Sequence, residues 1–317
     1  MERPRSKVKG PSEAESGLGP RTSDPGPLRL WWLAARPRTL PAAVAPVLIG
    51  TAMATVDDGF HAPSALVAVT CALLFQVGAN FVNDLADARK GADTEARKGP
   101  VRVVSAGLVS ERAMMRAIAA VFVVAFVLGL YLVWRGGWSI LAVGLASIAA
   151  AIAYTAGKRA LGYLGLGDLF VLVFFGPVAV AGTYYVQTLA FSWTTVLAGV
   201  GPGLLAVAIL VANNLRDVDE DRAAGKRTLI VRFGERFGQR LFAFCHVVPA
   251  FLPLLLWALT GRHFGACAAA LVLPLSMKAI RAVRASRAPE VLIPVLVGTG
   301  KRLFGYAVLF SLGWLLT

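Results

Sequence analysis

Charge and apolarity are segregated along this chain in a way that a water-soluble fold does not tolerate. Runs such as Ala113–Val133 and Leu197–Ala212 hold almost no charge, while the short segments between them are crowded with it. A stretch of about 20 mostly apolar residues is what a helix needs to cross a bilayer. The composition agrees: 57% of the 317 residues are hydrophobic and 16% are charged, against about a quarter charged in soluble domains. The mean hydropathy is +0.66. These features predict an all-α, polytopic membrane protein.

Nine spans are expected, at 40–56, 64–83, 113–133, 138–155, 168–186, 193–214, 241–260, 263–280 and 301–317. Lys301 and Arg302 interrupt a longer apolar stretch and set the start of the ninth. The basic residues test this map. Of the 32 Lys and Arg, all but Arg135 and Arg262 fall on one side of it. The positive-inside rule then places the N-terminus and the charged loops in the cytoplasm of a bacterial cell. Residues 1–29 are polar and lack an apolar core, so they read as a disordered basic tail, with the membrane domain over 30–317. A net charge of +14 is assigned to topology and anionic lipid rather than to nucleic acid. Cys71, Cys245 and Cys267 lie in apolar stretches and His61, His246 and His263 are scattered; neither set suggests a metal cluster.

Two acidic stripes stand out. After the second span, Asn80, Asn83, Asp84 and Asp87 recur at i, i+3, i+4 and i+7, one face of a helix. After the sixth, Asn213, Asp217 and Asp221 recur every four residues, with Asp219 turned away. Carboxylates at a membrane surface are costly, up to roughly 2.5–3.5 kcal/mol each at the bilayer centre, and these would also repel one another. Hard oxygen ligands without His or Cys suit Mg²⁺, with two ions expected if both stripes serve one ligand, and Mg²⁺ typically bridges carboxylates to substrate phosphates. Lys90 and Arg102 follow the first stripe, Lys158 lies in the middle loop, and Arg216 and Lys226 lie around the second. Such cations complete the neutralisation of a diphosphate. Arg112, Arg236 and Arg240 are left to topology. Gly162, Gly165 and Gly167 look like a phosphate-loop fragment, but no strand precedes them; a turn into the fifth span is expected, with Asp168 opening it.

The paired Asn-xxx-Asp motifs at 80–87 and 213–221, with Lys90-Gly91-Ala92-Asp93 and the Leu161–Asp168 loop, resemble the UbiA superfamily of intramembrane prenyltransferases. That resemblance implies about nine transmembrane helices around a central cavity. Within the superfamily the chain is most similar to the branch that acts on 1,4-dihydroxy-2-naphthoate. It implies transfer of a polyprenyl group from polyprenyl diphosphate to that acceptor, with loss of diphosphate and CO₂, to form demethylmenaquinone. Asp84, Asp87, Asp217 and Asp221 would then hold Mg²⁺. Asn80, Asn83, Lys90, Arg102, Lys158, Asn213 and Arg216 would serve the diphosphate, and Arg36, Tyr154 and Asp168 the acceptor. Position 91 is Gly where many relatives carry a third aspartate, and Asp93, two residues later, is left outside the ligand set. The rival readings are another acceptor (4-hydroxybenzoate, homogentisate or a sugar phosphate) and, from a different class, a cation transporter.

Overall fold

A computed structural model describes residues 26–89, 102–155 and 160–317. The tail reading for residues 1–25, and the positions of Lys90, Asp93 and Lys158, lie outside the described residues. Every regular element among them is helical. The chain runs through α1 (Pro27–Ala35), a 3-10 turn at Pro37–Thr39, α2 (Leu40–Val56), α3 (Ala62–Arg89), α4 (Glu111–Gly136), α5 (Trp138–Thr155), α6 (Gly167–Phe174) and α7 (Pro177–Thr188). It continues with α8 (Trp193–Arg216), α9 (Val218–Ala223), α10 (Leu229–Phe233), α11 (Glu235–Thr260), a 3-10 stretch at Phe264–Leu271, α12 (Val272–Ala285) and α13 (Pro289–Leu316).

Eight of these stretches are long and apolar enough to cross a membrane, and Trp138–Tyr154 is a shorter apolar helix. Together they match the nine expected spans. The helical part begins at Pro27, slightly inside the segment read as tail. The ninth helix begins at Pro289 rather than at 301. It runs through Lys301, which is exposed, and Arg302, which is half-buried. Two cations do not end a helix whose backbone groups are already bonded within it.

Local chemistry sets the breaks. Ser110 caps α4 by accepting from the Ala113 amide at 3.2 Å. Gly137, at φ 78°, turns α4 back into α5. The fifth span is interrupted at Gly176–Pro177, between α6 and α7. A Cβ at Gly176 would lie 2.6 Å from the Gly199 carbonyl, one at Gly199 2.6 Å from Pro177, and one at Gly203 2.6 Å from the Leu172 carbonyl. The broken span therefore seats on a glycine face of α8, the close backbone approach that small residues permit in membrane helices.

Helix α8 packs against α2, α6, α7, α11 and α13, and α2 packs against α13, so the first and last spans meet. One core joins α2, α7, α8 and α13 around Ile49, Leu205, Tyr306 and Phe310. A second joins α8, α11, α12 and α13 around Phe242 and Leu292. Helices α2 to α7 enclose a cavity of about 370 Å³. Its walls are mainly apolar, among them Phe75, Phe126 and Phe174, and Gln76, Asn80, Asn83 and Tyr154 also line it.

Candidate active site

The last turns of α3 carry the first acidic stripe, and the fold separates its members. Asp84 is 1% exposed. Its two carboxylate oxygens accept from the backbone amides of Val103 and Val104, both at 3.1 Å. Asp84 thus pins the returning chain against α3. That places Arg102 beside Asp87: Arg102 Nη2 donates to Asp87 Oδ2, and both side chains are buried. Asp87 Oδ1 is enclosed with no hydrogen-bond partner among the described residues. Asn80 donates to the Ala35 carbonyl at 2.9 Å and to Thr39 Oγ1 at 3.1 Å, and Gln76 also donates to Thr39 Oγ1. These amides hold the α1–α2 junction, where Arg36 adopts a left-handed φ of 52°. Asn83 lines the cavity.

The second stripe is bent where a straight helix was expected. Helix α8 ends at Arg216, and Asp217 (φ −98°, ψ 12°) is both its C-cap and the N-cap of α9. The bend costs little hydrogen bonding, because the Asp217 amide still reaches the Asn213 carbonyl and the Asp221 amide the Asp217 carbonyl. Arg216 grips Asp217 with two bonds, at 2.6 and 2.7 Å. Asp221 is buried and meets Lys226 Nζ at 3.0 Å. Asn213 sits half-buried one turn before Asp217. Asp219 faces outward to Arg222 and Arg287, as its spacing predicted.

The two stripes converge through Asp87 and Asp221. Burial holds the Asp221 carboxyl above the ordinary carboxylate range; Lys226 opposes that rise, while the charges of Asp217 and Asp87 add to it. Burial works against the Lys226 ammonium, but the nearby charges of Asp221 and Asp87 outweigh it and raise its pKa. Lys226 is thus shared between the two motifs, and it also lies 5.3 Å above the Tyr163 ring. Burial raises the Tyr163 phenol as well, with Lys226 opposing.

The glycine-rich loop braces this arrangement. The Arg227 amide donates to the Tyr163 carbonyl at 2.9 Å, and Arg232 Nη2 to the Leu164 carbonyl at 2.7 Å. Gly165 has φ 75°, and a Cβ there would lie 2.5 Å from the Arg227 carbonyl. Gly162 and Gly167 leave room for Tyr154, whose ring or hydroxyl would sit within 3.4 Å of an added Cβ at either. The loop makes the expected turn, and its glycines admit a neighbouring chain and a tyrosine. Asp168 is buried in the first turn of α6. Tyr154 is within electrostatic reach of Asp168, Asp221 and Asp87, which puts it between the acidic cluster and the cavity it lines. Residue spacing set Lys226 among the basic residues around the second stripe and left Tyr163 without a role. The signal for Lys226 was its place five residues after Asp221 with Gly225 between them, since that glycine (φ 71°) turns the chain back.

An all-helical ring with two acidic helix ends above an apolar cavity is the architecture of intramembrane prenyl transfer. The chain matches the UbiA prenyltransferase family over residues 43–316 and belongs to it. It is 36% identical over 304 residues to the 1,4-dihydroxy-2-naphthoate octaprenyltransferase of Haemophilus influenzae, covering 91% of this chain and 96% of that one. It is 39% identical over 279 residues to the enzyme of the same name from Mycobacterium tuberculosis, covering 88% and 94%. The fold is similar to that of a UbiA homolog from Archaeoglobus fulgidus solved with GPP and Mg²⁺, with a TM-score of 0.61 at 13% identity over 89% of this chain and 99% of that one.

Among the described residues no three Asp, Glu, His or Cys side chains stand close enough to cage a metal by themselves. Mg²⁺ does not require such a cage: it is commonly held by one or two carboxylates, with substrate phosphates and water completing six positions. Asp87 offers an enclosed oxygen without a partner. Asp217 and Asp221 are balanced by Arg216 and Lys226, cations that an arriving diphosphate would compete for. The donor set fits a metal shared with a diphosphate.

Proposed function

We propose that this protein transfers a polyprenyl group from polyprenyl diphosphate to 1,4-dihydroxy-2-naphthoate. The observation that carries this reading is the convergence of Asp87 and Asp221, with Arg102 and Lys226, beside an apolar cavity. The names of the relatives supply the acceptor.

Asp87, Asp217 and Asp221 would hold Mg²⁺, as two ions on one diphosphate. When bound it supplies Lewis-acid stabilisation of a leaving phosphate. Asp84 takes a different part, since both its oxygens are engaged by backbone; it fixes the segment that delivers Arg102. Arg102, Lys226 and Arg216 orient the diphosphate and balance the charge that develops as the allylic C–O bond breaks. Asn83 and Asn213 belong to the same polar mouth, and Lys90 and Lys158 are assigned to the same diphosphate from the sequence. The cavity takes the isoprenoid and keeps water from the electron-poor carbon. A C–C bond then forms at the carboxyl-bearing carbon of the naphthoate ring. The C–CO₂ bond breaks, its electron pair returns to the ring, and the product is the reduced form of demethylmenaquinone. Because CO₂ leaves from an ionised carboxylate, no ring proton has to be removed. Tyr154, Asp168 and Arg36 are assigned to acceptor positioning. The distribution of Lys and Arg supports a site and an N-terminus on the cytoplasmic face of a bacterial plasma membrane.

The test is an acceptor panel with one labelled polyprenyl diphosphate, read by product mass. Product from 1,4-dihydroxy-2-naphthoate at the mass of prenyl addition less CO₂ is expected. Product from 4-hydroxybenzoate, homogentisate or a sugar phosphate in its place would replace the acceptor while leaving the prenyl-transfer reading intact.

A further inference from the structure

Among the described residues, a group of unpaired cations outside this site lies along the outer groove between α11 and α12. Gln239 Nε2 donates to the Val283 carbonyl at 3.3 Å and ties the two helices at one level. On α11, Arg236 and Arg240 fall on the outward side of Gln239, and both are exposed. On α12, Arg281 and Arg284 flank the buried Val283 and are exposed too. None of the four has an ion pair or hydrogen bond to a described residue. The nearby carboxylates are engaged elsewhere: Glu235 meets Arg287 at 2.9 Å, and Asp219 meets Arg222 and Arg287. Immediately beyond the arginines along the two helices the same face becomes apolar. Phe244 and Phe251 on α11, and Leu275 and Met277 on α12, are all exposed.

We propose that this groove binds an anionic phospholipid, its phosphate held by Arg236, Arg240, Arg281 and Arg284 and its acyl chains laid along Phe244, Phe251 and Met277. Topology alone asks only for a count of basic residues near span ends. It does not ask that four guanidinium groups from two helices converge on one groove without an acid among them. Arginine presents a planar fork that meets phosphate oxygens in pairs, and an anion there relieves the mutual repulsion of the four. The apolar face directly adjoining the charges selects a lipid over a soluble phosphate. The groove is independent of prenyl transfer, because α12 contributes nothing to the acidic site or to the cavity.

The experiment uses the full chain, delipidated and placed in nanodiscs of phosphatidylcholine alone or with phosphatidylglycerol, read by thermal unfolding and by native mass spectrometry of retained lipid. Phosphatidylglycerol is expected to raise the unfolding temperature of the wild type and to stay bound. R236Q/R240Q/R281Q/R284Q loses both effects, and the corresponding four lysine substitutions keep part of them. Should the quadruple variant fail to insert, R240Q/R281Q serves, with binding weaker by roughly 25-fold at about fivefold per cation. Equal shifts in wild type and variant would overturn the proposal. So would a shift produced equally by inorganic phosphate, or variants that weaken polyprenyl diphosphate binding instead.

Discussion

Asp84 and Asp87 stand three residues apart on α3, and the fold gives them different work. Asp84 serves two backbone amides, whereas Asp87 faces Arg102 and keeps one oxygen without a partner among the described residues. Asp84→Asn leaves one of those amides unmatched, a cost of about 1–3 kcal/mol. Its thermal stability and its prenyl transfer are expected to fall together. Asp221→Asn should lower turnover by about 10²–10³ with a smaller change in unfolding temperature, because Lys226 keeps Asp87 nearby. Assaying both purified variants by unfolding and by product formation checks the contrast; the reverse pattern would exchange the two roles. The raised Asp221 carboxyl adds a pH dependence. Mg²⁺ requires the ionised form, so falling pH protonates Asp221 earlier than an ordinary aspartate of pKa about 3.9. Half-saturating Mg²⁺ should therefore climb on acidification from above that value, as Mg²⁺ titrations across pH will read.

At the scale of elements, site geometry depends on helices that stop or break. The α8–α9 bend at Asp217 turns Asp221 inward, and the α5–α6 loop grips the α9–α10 loop through Tyr163 and Arg227. The broken fifth span rests on Gly199 and Gly203. Gly203→Ala brings a Cβ to 2.6 Å from the Leu172 carbonyl, and backbone cannot move aside as a side chain can. Overpacking of this kind costs typically 1–3 kcal/mol, so this variant should unfold at lower temperature and transfer more slowly. Gly305→Ala meets nothing within 4 Å and should hold or gain stability through helix propensity. A Gly203→Ala protein as stable as the wild type would show that α6 and α8 can part without cost.

For the whole molecule, a ring of helices with its two acidic stripes gathered at one end distinguishes catalysis from transport. Transporter sites lie near the bilayer midplane on discontinuous helices. Here the carboxylates sit at the ends of α3 and α8, and the interior beside them is apolar. Purified protein in detergent, with no compartment and no gradient, is therefore expected to release diphosphate in step with prenylated product when Mg²⁺ and both substrates are present. A requirement for sealed vesicles or an ion gradient would favour the transport reading.

Spans were legible in the sequence because lipid permits few solutions. Every backbone polar group must bond within its own segment, so an apolar run of sufficient length becomes a helix wherever it occurs. The acidic stripes were legible for a related reason, since carboxylates at a helix end in a membrane need a cation. What each carboxylate does was not legible. Asp84 and Asp87 are the same chemical group on one helix, and only the return of residues 102–104 onto α3 decides which binds backbone and which meets Arg102. Lys226 and Tyr163 joined the site through the crossing of two loops far apart in sequence, and the 370 Å³ cavity exists only where α2 to α7 enclose it. Solvent acts on each segment separately, and the sequence by itself carries that; partner choice among charged side chains depends on long-range packing, and only the tertiary structure decides it.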